Sequence, residues 1–382
     1  MSNNLADRVG ITATGVQSLT VRDVRAWLDR VRAGGLDAAE TAATTTLVYR
    51  VWLIAFVFKA LGSGWDVAWH FRWLRDDLAP PHDVNLIGDG IAIVLVVCHW
   101  YTRFAVDKLA LRLMIVGATL FVVSAPIDVV NHRINGLDIT SWSITHFGLY
   151  TGTAILVAGV IRGWRRHSTG LAHRSVMLGA FWFFFLENVW FLAQHQEYGV
   201  REIAVWDAGH PYAEPSLLAF AANQIGRPVD RAAVVHFSLP VPAWVYPLWI
   251  STAVALTLLA ARRSVGFRWT ATALAAAYLL WRCALWPIFA VTGFPHSALP
   301  FVILALGLAI DLTCLIELPW PAEAVVGAVL ATGAVYLALY VQANSVGAPP
   351  IAYASALVAA PILLLGWAAL ANLRTTRNLT LF

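Results

Sequence analysis

The chain has 382 residues, of which 59% are hydrophobic and only 13% are charged. Soluble domains carry about 25% charged residues. This composition, with a mean hydropathy of +0.67, therefore excludes an ordinary soluble protein and indicates an integral membrane protein. The net charge of +4 comes mostly from arginines beside apolar stretches, so it does not indicate a nucleic-acid partner.

The N-terminal stretch 1–44 is the most polar part of the chain. Residues 1–18 have no apolar pattern and are expected to be disordered or loosely attached, and no removable signal peptide is recognisable. Thr20, with Asp23 three positions later, predicts the start of a helix. The arginines and valines of that helix fall on different faces, so it either lies on the membrane surface or docks on the ends of the bundle.

The rest of the chain predicts an all-α polytopic bundle of about ten transmembrane helices in the lipid bilayer. Their ranges are 45–72, 84–103, 109–132, 143–163, 174–197, 237–261, 268–290, 297–317, 321–342 and 351–372. We expect a membrane domain at 45–318, followed by two additional helices and a short tail at 319–382. The 18 Trp and 10 Tyr residues fit side chains placed at the membrane interfaces.

The distribution of positive charge predicts the orientation. Most of the 26 lysine and arginine residues fall on one side if the N-terminus is cytoplasmic. Both termini are therefore expected inside, in a bacterial cytoplasmic (inner) membrane. The longest outer connection would be 198–236, which has little periodicity and is interpreted as a lid, a partner surface or a mobile loop.

One motif occurs twice in the chain. Asp66 and His70 are followed by His82, and Asp128 and His132 are followed by His146. In each copy the Asp and the first His are four residues apart and share a helix face. A glycine, Gly88 or Gly152, follows six residues after the second His.

The two copies predict parallel helix-pair repeats of about 60 residues. Asp66 and Asp128 are 62 residues apart. A third pair would carry Glu187 in place of the aspartate and His236 at the start of the next segment, and a fourth would have Arg282 and His296. Parallel repeats disfavour a transporter built from inverted repeats.

Asp with two His is a usable ligand set for a transition metal. Each set could hold its own metal, or all six residues could converge on one centre. Alternatively, each Asp could simply hydrogen-bond its His and hold the bundle together. The three Cys lie in apolar stretches and predict neither disulfides nor a metal site.

Other polar residues within the predicted segments are secondary candidates. Glu187, in an aromatic run, is a candidate catalytic proton carrier or additional ligand, or else pairs with Arg282. His195 could approach the same face. Three further His residues are expected at the interfaces: His99, His167 and His173.

The motif is an Asp-x-x-x-His pattern with a second His about a dozen residues later. It occurs at Asp66, His70 and His82 and again at Asp128, His132 and His146. This pattern resembles the copper-site motif of the C subunit of copper-containing membrane monooxygenases. The resemblance implies copper, oxygen activation, a small apolar substrate and partner subunits. It covers under a tenth of the chain. This chain departs from the family by its length, its number of segments and the duplication of the motif.

The sequence as a whole predicts a membrane metalloprotein with an outward-facing site that oxidises a small apolar or lipid-like substrate at copper or iron. If the metal is zinc, the same ligands would activate water for hydrolysis. A third interpretation is a non-catalytic metal-binding or scaffolding subunit of a membrane complex.

Overall fold

The computed structural model describes residues 20–74, 79–135 and 140–375. This part of the chain is helical and contains no strand, which confirms the predicted all-α fold. The predictions for residues 1–18 and for the end of the tail lie outside the described residues. In chain order the helices are α1 Val21–Arg32, α2 Ala38–His70, α3 Pro80–Thr102, α4 Lys108–Asn135, α5 Ile144–His167, α6 Leu171–Asp207, α7 Pro215–Gln224, α8 Arg231–Ser238, α9 Val245–Val265, α10 Thr270–Thr292, α11 Val302–Leu315, α12 Trp320–Ser345 and α13 Ala356–Thr375.

Nine helices in the described ranges are long and apolar enough to cross a bilayer, so the protein is multi-pass. They are α2–α6, α9, α10, α12 and α13. The predicted segment 297–317 corresponds to α11, which has only 14 residues and a length of about 21 Å. It is shorter than the predicted segment because the residues of that segment up to and including Pro300 are not helical.

Helix α1 contacts the ends of two helices of the bundle, which agrees with the docked interpretation of the N-terminal helix. The predicted capping box of Thr20 and Asp23 is present. Tyr101 at the end of α3 donates a 2.5 Å hydrogen bond to Asp29 Oδ1, and Arg30 lies 3.3 Å from Glu40 at the start of α2. The helix therefore packs against the ends of α2 and α3.

Glycines allow the first four transmembrane helices to pack as two close pairs. A Cβ atom on Gly88 of α3 would lie 2.6 Å from the backbone oxygen of Ala55 on α2. A Cβ on Gly152 of α5 would lie 2.7 Å from the backbone nitrogen of Phe121 on α4. The backbones are thus in contact in both pairs, and this spacing brings the second His of each motif to its Asp.

Residues 198–236 are mostly helical, which differs from the predicted irregular connection. Helix α6 continues ten residues beyond the predicted end at 197, and α7 and α8 follow. Glu202 is fully buried and accepts hydrogen bonds from the backbone nitrogens of Tyr212 and Ala213. The sequence is less hydrophobic in this range because polar side chains such as Glu202 hold the segment that follows α6 against that helix.

Several Trp residues are buried in the bundle, whereas the sequence suggested the interfaces. Trp52, Trp164, Trp190 and Trp367 are fully buried. Their indole N–H groups donate to polar partners, as buried Trp usually requires; Trp52, for example, donates to His99 Nε2 at 3.1 Å. His99, which was expected at an interface, is therefore a core residue.

Candidate metal centre

The first cluster lies where α2 ends and α3 begins. Asp66 Oδ1 is 3.0 Å from His70 Nε2 and 2.9 Å from His82 Nε2, and the two nitrogens are 3.2 Å apart. Asp66 and His70 share a face of α2, and Pro80–Pro81 start α3 so that His82 falls in its first turn. Three candidate ligand atoms thus form a nearly equilateral triangle.

This triangle has the dimensions of a metal site. Atoms bonded to one metal ion at about 2.0–2.2 Å lie about 3.0–3.5 Å apart in octahedral or tetrahedral geometry. Asp66 Oδ1 is also buried, with the two imidazole nitrogens within 3.0 Å of it. A buried carboxylate needs such partners or a cation, and one metal ion would bind this oxygen and both nitrogens together.

The second cluster has the same residues at the junction of α4 and α5. His132 Nε2 lies 3.4 Å from Asp128 Oδ1, and His146 Nε2 lies 3.4 Å from Asp128 Oδ2. The two imidazole centroids are 5.8 Å apart. The set is more open than the first, because the two imidazoles approach different carboxylate oxygens.

Neighbouring groups hold the second cluster in place. Thr145 Oγ1 donates a 2.6 Å hydrogen bond to Asp128 Oδ1. His146 Nδ1 is 3.1 Å from the backbone oxygen of Thr140, so a proton on Nδ1 leaves Nε2 available as a ligand. Ser143 caps α5 and accepts from the backbone nitrogen of His146.

The two clusters are separate groups that border one cavity. Within each set the candidate ligand atoms lie within 4.8 Å of one another, and no group among the described residues joins the two sets. A cavity of about 390 Å³ is lined by both aspartates and by His82, His132 and His146. The geometry favours two sites facing a common space over one six-ligand centre.

The cavity is mainly apolar and extends deep into the bundle. Its wall reaches Phe56 on α2, which is ten residues before Asp66, and Val157 on α5. At 1.5 Å per residue these positions lie about 15 Å from the clusters. The space therefore extends from the candidate ligands into the bundle.

A buried ion pair in the cavity wall was not predicted. Lys59 Nζ on α2 and Asp89 Oδ1 on α3 are 2.5 Å apart. A Lys and an Asp in neighbouring apolar segments indicate such a pair, because both must find partners there. Asn85 and Asn188 also line the wall, and nothing in the sequence distinguished them.

Glu187 borders the same cavity from α6. It is buried, and its Oε1 is 3.2 Å from Gln194 Nε2 and 3.5 Å from Ser63 Oγ. The expected alternative, an ion pair with Arg282, is not formed, because Arg282 lies 2.8 Å from Glu197 instead.

The remaining His candidates are not part of the clusters. His195 lies beside Asp66 and His70 in a small adjoining pocket, and its Nε2 is 3.2 Å from the backbone oxygen of Phe237. His236 is on α8 and does not line the cavity. His296 contacts Tyr212 and Arg201, away from both sets.

No protein family, no curated protein and no solved structure matches the chain. The resemblance to the C subunit of copper-containing membrane monooxygenases consequently remains a prediction from the short motif.

Proposed function

We propose that this protein is a membrane metalloenzyme that oxidises an apolar, chain-shaped or lipid-like substrate at copper or iron held by Asp66, His70 and His82. The observation that carries the proposal is the compact triangle of three ligand atoms, built on a buried carboxylate oxygen, on the wall of a large cavity. Asp128, His132 and His146 form a second, more open site on the same cavity.

The donor set supports a reactive metal site over a purely structural one. Two imidazoles and one carboxylate on one side of an ion leave other positions open, which is the arrangement of many iron oxygenases and is also accessible to copper. A structural zinc site is usually closed by four protein ligands. Copper or iron at this position would supply the redox chemistry for oxygen activation.

The cavity supports an apolar substrate. Phe56, Phe121, Leu149 and Phe184 line it, and the charged Lys59 and Asp89 in its wall pair with each other. An elongated molecule could place one end at the ligand atoms and the remainder about 15 Å along the apolar wall. The aromatic side chains would exclude water and orient this substrate.

The membrane position proposed for the site follows from the charge distribution. With both termini in the cytoplasm of a bacterial cell, the two clusters would face outward. Partner subunits, which the resemblance implies, would then supply electrons from outside the described chain.

Elemental analysis of gently purified protein tests the proposal. We expect bound copper or iron, with a loss of about one ion per chain in His70→Ala because a ligand of the first site is removed. His132→Ala should affect only the second site. His167→Ala is the matched control, because His167 Nδ1 contacts the backbone oxygen of Gly163 at the other end of α5.

Each outcome has a defined meaning. Copper or iron that is lost in His70→Ala supports the proposal, particularly if the wild type shows substrate-dependent oxygen uptake. Zinc with hydrolytic turnover would replace it with the hydrolase alternative. A stable complex that holds metal but is inactive alone would indicate a scaffolding subunit. Chelator-free protein without metal would contradict the proposal and leave the clusters as structural hydrogen bonds.

A further inference from the structure

Glu187 lies between two internal spaces. One is the large cavity that borders both Asp–His–His clusters, and the other is a small void enclosed by α2, α6, α10 and the segment after α10. Among the residues that line these two spaces, Glu187 is the one that they share. The void has a volume of about 10 Å³, which is about the room that one water molecule requires.

Polar groups surround the void. Gln194 Nε2 donates to Glu187 Oε1 and lies 3.3 Å from Tyr278 OH. Arg282 donates to Tyr278 OH at 3.2 Å and to Ser297 Oγ at 2.5 Å. A buried water is stable only where it finds two to four polar partners, and these groups provide them.

His296 lines the far side of the void. Tyr212 OH lies 3.1 Å from its Nδ1, and Arg201 lies 3.1 Å from its Nε2. Burial and the positive charge of Arg201 lower the pKa of His296 below its usual value. The neutral imidazole is therefore favoured, and it takes up a proton at Nε2 only when the contact with Arg201 opens.

Glu187 differs from the second buried carboxylate on the same helix. Glu197 accepts hydrogen bonds from Trp190 and Tyr246 and lies 2.8 Å from Arg282, so its charge is compensated. Glu187 has the neutral partners Gln194, Ser63 and Tyr278, and no ion pair of it is formed among the described residues. An ionised carboxylate in such surroundings is costly, which makes the neutral carboxyl accessible.

We propose that Glu187 exchanges protons between the metal-lined cavity and His296 through the water-sized void bounded by Gln194, Arg282 and Ser297. A proton released in the cavity converts the Glu187 carboxylate to the carboxyl. The carboxyl then gives its proton to a water in the void, and this water passes one to His296. The positive charge of Arg282 does not block the route because Glu197 neutralises it.

The direction of proton flow during turnover rests on the proposed metal chemistry, whereas the exchange itself does not. The two can therefore fail separately. Metal content reports on the clusters, and the protonation of Glu187 can be followed in protein without added metal.

Infrared spectroscopy of the full-length protein in lipid, during a change from H₂O to D₂O, tests the exchange. We expect a carboxylic-acid C=O band that shifts in D₂O and is absent in Glu187→Gln. His296→Leu should slow the shift by about 100-fold or more, in the range that a positioned proton-transfer group contributes. His210→Leu is the control, because His210 is an exposed imidazole that does not line the void.

Two results would overturn the proposal. One is the absence of a band assignable to Glu187 at any pH at which the protein is folded. The other is an exchange rate that is unchanged in both His296→Leu and Ser297→Val. The second variant is included because it narrows the same route. A slower rate in both variants, with metal content equal to that of the wild type, would support it.

Discussion

The two Asp–His–His clusters use the same residue types at equivalent helix ends, but the protein engages their carboxylates differently. In the first, both imidazoles approach one buried oxygen, Asp66 Oδ1. In the second, the imidazoles approach different oxygens of Asp128, and Thr145 already donates to one of them.

This difference indicates unequal roles for the two copies. A carboxylate that already accepts a hydroxyl hydrogen bond gains less from a metal than one whose close neighbours are the other candidate ligands. We therefore expect the first cluster to bind metal more tightly, while the second contributes more to holding α4 and α5 together.

The largest effect is expected when the close packing of α2 and α3 next to the first cluster is disrupted. In Gly88→Val the new side chain would collide with the Ala55 backbone oxygen, which should cost about 1–3 kcal/mol of stability or more. It should also abolish metal binding at the first cluster, because His82 moves away from Asp66. Thermal unfolding and metal content measure both effects.

Gly90→Ala is the matched control on the same helix, because a Cβ there meets nothing within 4 Å. It should leave metal content unchanged and be neutral or slightly stabilising. Normal metal binding in Gly88→Val would show that close packing of α2 and α3 does not position the site.

A smaller and selective effect is expected for Thr145→Val. Loss of its hydrogen bond to Asp128 should weaken metal binding at the second cluster by about 10–100-fold, because groups behind a ligand orient it. The first cluster should keep its affinity. Metal titration of the purified protein separates the two sites.

Thr153→Val serves as a control for this variant, because it removes a hydroxyl from the same helix and cavity but not from Asp128. If Thr145→Val weakened both clusters equally, or neither, the two sites would not be independent in the way that the geometry indicates.

The smallest effect is expected for Ser143→Ala. Ser143 caps α5, whereas Ala79 at the start of α3 offers no side-chain cap. Loss of the cap should cost about 1 kcal/mol and should loosen His146 only. A change at the first cluster, measured by metal titration, would argue against separate sites.

The sequence predicted the clusters because their geometry is local. Asp66 and His70, like Asp128 and His132, are one helical turn apart, and His82 and His146 follow after short connections. Nothing more distant in the chain is needed to bring these side chains together.

Features that depend on contacts between distant helices were not predictable from one sequence. The partner of Lys59 is Asp89, and the partner of Arg282 is Glu197 rather than Glu187, because helix rotation decides which polar groups meet. The helices within 198–236 were missed because buried polar contacts, such as those of Glu202, stabilise them without an apolar pattern.

X-ray absorption spectroscopy of the His132→Ala variant loaded with copper tests the central claim most directly, because only the first cluster remains intact. We expect two imidazole nitrogens and one carboxylate oxygen at about 2.0–2.2 Å from the metal, and loss of this spectrum when His70→Ala is added. A copper spectrum without imidazole scattering, or one that survives the His70→Ala change, would contradict the assignment of Asp66, His70 and His82 as a metal site.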